Sequence, residues 1–92
     1  MGTYLKDNKT GNALHVIEIV NDNWDLDSQL EALESWLHDN SEFHFTGGDW
    51  IADIGFIPRP DTSVAGYTIS TDLMKNLAVN NITLWLSDYR GV

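Results

Sequence analysis

Carboxylates dominate the side chains whose spacing could do chemistry. Asn23, Asp25, Asp27, Glu31 and Glu34 fall at positions 1, 3, 5, 9 and 12 of a calcium-binding loop, the spacing at which oxygen ligands surround the ion. Position 6 of that template needs a glycine for its sharp turn and holds Ser28, and no helix precedes the loop, so no metal site is expected. Glu42 and Asp53 are placed to act as a general acid–base pair across a hairpin. No nucleophile, oxyanion site or phosphate-binding loop accompanies them. His15, His38 and His44 lie on different elements and outside any zinc pattern, and the absence of cysteine removes thiolate chemistry. The expectation is a protein without catalytic residues, cofactor or metal, and not an enzyme.

The same carboxylates have a second use as a charged surface. Fourteen Asp and Glu against five Lys and Arg give the 92-residue chain a formal charge of -9. Residues 10–58 contain ten acids and no Lys or Arg, so that stretch carries -10 and the remainder +1. Lys6, Lys9, Arg59, Lys75 and Arg90 are scattered and form no basic stripe. Such a field repels nucleic acid and anionic membrane and attracts a basic protein. No apolar run approaches the length of a membrane span, and the start Met1-Gly2-Thr3-Tyr4-Leu5-Lys6 has no secretory core. A cytoplasmic location is expected.

The elements that position these groups follow from hydrophobic period. Thr3-Tyr4-Leu5-Lys6 is a short N-terminal strand, and Ala13–Val20 is a β-branched run suited to a central strand. Leu26, Leu30, Leu33 and Leu37 recur at helical spacing, with Ser28 and Glu31 as a capping box. Phe43–Thr46 and Asp49–Ile57 flank Gly47-Gly48, which reads as a hairpin turn. That register puts Phe43, Phe45, Trp50, Ala52, Ile54 and Phe56 on one face, and Glu42 opposite Asp53 on the other. A second helix, capped by Ser70, presents Leu73, Met74, Leu77 and Ala78 and ends at Asn80-Asn81. The last strand, Ile82–Ser87, turns Ile82, Leu84 and Leu86 inward and Thr83, Trp85 and Ser87 outward. The predicted architecture is one α+β domain over residues 1–92. It is an antiparallel-rich sheet with both helices on one face, in ferredoxin-like βαββαβ order with the N-terminal strand as an addition.

The run Gly66-Tyr67-Thr68-Ile69-Ser70-Thr71-Asp72-Leu73-Met74, then Leu77-Ala78 and Asn81–Leu86, closing near Tyr89, resembles a family of small bacterial α+β proteins of unknown function. The resemblance covers about a third of the chain, implies a strand–helix–strand ending and carries over no catalytic residue. The N-terminal half departs from that family's pattern. In type, through small size, acidity and lack of cysteine, the chain resembles toxin-immunity proteins and phage anti-CRISPR or anti-restriction proteins.

These observations converge on a stoichiometric protein inhibitor that covers the basic surface of a nuclease, a toxin or a nucleic-acid-handling complex. Glu31, Glu34, Glu42 and Asp53 are the expected charge contacts, and Trp85 is the apolar anchor. The alternative is a homo-oligomeric or scaffold domain whose open sheet face, bearing Trp85, meets a copy of itself.

Overall fold

The computed structural model describes residues 2–7, 16–19, 23–43, 45, 49–58 and 66–89. Six elements follow in order: β1 (Thr3–Asp7), β2 (Val16–Ile19), α1 (Leu26–Asp39), β3 (Trp50–Phe56), α2 (Thr71–Val79) and β4 (Ile82–Asp88). The strands form one mixed sheet in the order β2-β1-β3-β4, antiparallel at β1–β2 and β1–β3 and parallel at β3–β4. Parallel neighbours cannot be joined by a tight turn. The connection from β3 to β4 accordingly runs through α2, and α1 carries the chain from β2 past β1 to β3.

Period-two patterning makes the strands. Thr3 and Leu5 of β1, and Trp50, Ala52, Ile54 and Phe56 of β3, are buried, while Tyr4, Lys6, Ile51 and Asp53 between them are partly exposed. Leu26, Leu30, Leu33 and Leu37 of α1 join Leu73 and Leu77 of α2 against that buried face in a single core. Both helices therefore cover the same side of the sheet. Thr3 and Gln29 are the buried polar residues of this layer among those described. The Thr3 hydroxyl donates to Gln29 Oε1 at 2.6 Å, and Gln29 Nε2 donates to the Asn23 carbonyl at 2.6 Å, so each is satisfied.

Several expectations change. The sheet is α+β with two helices on one face, but its order is not the ferredoxin-like one: β1 is an interior strand paired on both edges. The expected hairpin partner of β3 is displaced for the same reason, because β1 and β4 occupy both edges of β3. Phe43 and Phe45 are not in a strand, and the Gly47-Gly48 turn, like His44 and Thr46, lies outside the described residues. The expected packing of these aromatics survives without the strand. Phe43 and Phe45 meet edge-on at 4.8 Å, and Phe45 meets Trp50 at 5.1 Å, with Trp36 closing the cluster. Glu42 is not opposite Asp53, whose neighbours across the sheet are Tyr4 and Trp85. The cap of α1 is Asp25 rather than Ser28: its carboxylate accepts from Ser28 N at 3.4 Å, and the helix begins three residues earlier than the capping box implied. On α2 the cap is Ser70 as expected, yet Met74 and Ala78 are exposed and Leu73 and Leu77 alone are buried. Asn81, the second residue past α2, takes φ 55, a left-handed value that asparagine adopts more readily than most residues.

Candidate functional site

Two surfaces carry the predicted residues, on opposite sides of the sheet. The helix-free face is built by the register itself. Glu18, Tyr4, Asp53 and Trp85 form one row across β2, β1, β3 and β4, and Val16, Lys6, Ile51 and Thr83 form the next. Lys6 Nζ reaches diagonally to donate to Asp53 Oδ2 at 2.9 Å and lies 5.7 Å from the centre of the Tyr4 ring. Ser87 Oγ donates to the other carboxylate oxygen at 3.4 Å. Asp53 is thus already matched by a cation and a hydroxyl within the chain, which leaves it little charge for a partner. Trp85 beside it is 58% exposed.

The second surface is the groove between α1 and α2. One part, of about 370 Å³, is lined by Asp27, Glu31, Glu34, Thr68 and Ser70 among others. A second, of about 500 Å³, continues past Glu34 to His38, Asp39, Asp72 and Lys75. Along α1 the spacing Asp27, Glu31, Glu34, His38 is i, i+4, i+7, i+11, which places all four on one helical stripe. Glu34 also has a structural task. Its Oε1 accepts a hydrogen bond from Ser70 Oγ, and Ser70 Oγ in turn accepts from Leu73 N at 3.0 Å, so an α1 carboxylate backs the N-cap of α2. A negative charge there complements the positive end of the α2 dipole.

The five predicted contacts are therefore not one patch. Glu31 and Glu34 meet in the groove, Asp53 and Trp85 meet on the opposite face, and exposed Glu42 lies just beyond the C-terminal end of α1. Asp27, Asp39 and Asp72 line the groove and were not among the predicted contacts. The helical stripe makes Asp27 legible in sequence; Asp72 enters only because α2 packs beside α1. The calcium-loop residues serve the helix start. Asn23 Oδ1 accepts from Asp25 N at 3.3 Å and Asp25 caps, so the later acids point from successive helical turns instead of converging. Among the described residues no three His, Asp or Glu side chains are grouped to hold a metal ion, and no helix is long and apolar enough to cross a membrane.

The chain matches no protein-family model, no curated protein and no solved structure.

Proposed function

We propose that the protein is an acidic binding domain that docks its α1–α2 groove on a basic protein surface. Such docking would block a nuclease, a toxin or a nucleic-acid-handling complex by occupying the site where phosphates bind. The observation that carries this reading is the composition of the groove. Asp27, Glu31, Glu34, Asp39 and Asp72 line it, with Lys75 as the one Lys or Arg along it among the described residues. A concave surface lined by one sign of charge focuses its field and speeds the encounter with an oppositely charged partner. Asp53 takes no part, because Lys6 neutralises it on the far side of the sheet.

The test pairs affinity capture from host lysate with kinetics on the captured partner. Glu31→Lys with Asp27→Lys should cut the association rate at least tenfold at low salt, and the wild-type rate should fall steeply as salt rises. Trp85→Ser, on the opposite face, should leave that rate unchanged. An association rate insensitive to salt, or equal losses from the groove and Trp85 variants, would overturn the reading.

A further inference from the structure

Five of the nine large exposed apolar side chains among the described residues come from the C-terminal segment, the others being Val16, Trp24, Phe43 and Ile57. Met74 (49% exposed), Val79 (84%), Trp85 (58%) and Leu86 (43%), with Tyr89, all belong to α2, β4 and the residue after it. From Met74 to Tyr89, past Asp72 in the first turn of α2, this segment is electrically neutral. Residues 74–89 contain one base, Lys75, and one acid, Asp88, so the whole -9 of the chain is carried elsewhere. A polyanion that meets a copy of itself must do so where its charge is lowest, and this strip is that place.

The strip also borders an open strand edge. β4 pairs with β3 on one side, and among the described residues no strand lies on the other. Seven residues long, it carries no Pro or Lys, devices that guard natural edges. Its hydrogen-bonding phase is set by Tyr89 N, which donates to Phe56 O at 3.0 Å. Counting back by twos, Ser87, Trp85 and Thr83 turn their backbone groups to β3, whereas Leu86 and Leu84 turn theirs to the open edge.

We infer that the protein forms a two-fold dimer by antiparallel pairing of β4 with β4 of a second copy, centred on Trp85. In that register Leu84 faces Leu86 of the copy as a hydrogen-bonded pair, and Thr83 faces Ser87. Trp85 meets its own symmetry mate at a non-hydrogen-bonded site, where Cα atoms approach to about 4.5 Å and side chains are closest. Aromatic contact on the helix-free face and Leu86 against Leu84 on the helix side cover the edge from both directions. Met74 and Ala78, one turn apart, lie on the exposed side of α2. The four strands of each copy then make one continuous eight-stranded sheet, with no carboxylate brought against its like at the centre. This dimer is independent of the groove and leaves it open.

Sedimentation velocity over a micromolar to millimolar concentration series reads the association, and thermal melting monitors the fold. Wild type should sediment at twice the chain mass. Leu86→Pro removes an N–H aimed at the open edge, so it should give a monomer with its melting transition retained. Ser87→Pro removes one aimed at β3 and should lower the transition sharply. Leu86→Lys is the second edge variant and should also be monomeric. The chain lacks cysteine, so register can be read by oxidation: Thr83→Cys with Ser87→Cys should crosslink two copies, and either alone should not. A wild type that stays monomeric throughout overturns the inference. So does a dimer that persists in Leu86→Lys, or one that crosslinks equally well through Thr83→Cys alone.

Discussion

Thr3→Val probes a buried polar tie between the sheet and α1. The substitution swaps a hydroxyl for a methyl at nearly constant volume, on a buried residue of an interior strand. What is lost is the 2.6 Å bond to Gln29 Oε1, and what remains is a buried amide oxygen with no donor. Losing the bond and stranding its acceptor together cost about 2 kcal/mol. For a domain of this size each kcal/mol moves Tm by about 4–8 °C, so a fall of about 8–16 °C is expected by calorimetry. Gln29→Met alone should cost a similar amount, because it strands the Thr3 hydroxyl and leaves the Asn23 carbonyl to water. The double variant removes both ends of the bond, and its cost should fall short of the sum by at least about 1 kcal/mol. A Thr3→Val protein that melts within about 2 °C of wild type, or strict additivity in the double variant, would refute both the bond and the burial of β1 that depends on it.

Three further outcomes follow from the same geometry. Ser70→Ala removes both the α2 cap and the donor to Glu34, and should cost about 1–2 kcal/mol in urea unfolding; Glu34→Gln keeps an acceptor for Ser70 and should cost less than half of that. Asn81→Gly should raise stability by a few tenths of a kcal/mol and Asn81→Val should lower it by about 1–2, since φ 55 suits glycine and penalises a β-branched side chain. Lys6→Met breaks a partly exposed ion pair with Asp53, so its cost should be below about 1 kcal/mol at low salt and shrink as salt is added.

Glu34 shows how a residue's part in the fold can be hidden from the sequence. Sequence marks it as one acid in a base-free stretch; packing shows that it also holds the N-cap of α2. Asp72 shows the converse. It lies in the half of the chain with a net charge of +1, yet it lines the groove beside Lys75 and Glu34. A division of charge along the chain is therefore a poor guide to its division on the surface.

What the amino-acid sequence determined by itself was local. The leucine stripe of α1, the Ser70 cap, the stop at Asn80-Asn81 and the alternation in β3 and β4 each depend on neighbours within a few residues, where period and capping chemistry decide. The outward direction of Trp85 and its place on the same face as Asp53 follow from that alternation. Pairing was decided only by the tertiary structure. Gly47-Gly48 suggests a hairpin for β3, but a strand has two edges, and β1 and β4 take both. β1 wins one of them because Leu5 is fully buried there and the Thr3 hydroxyl finds Gln29, a contact 26 residues away that no local pattern encodes. The same long-range choice leaves the far side of β4 as an open edge, turns Met74 and Ala78 outward, and separates Glu31 and Glu34 from Trp85 by the thickness of the sheet.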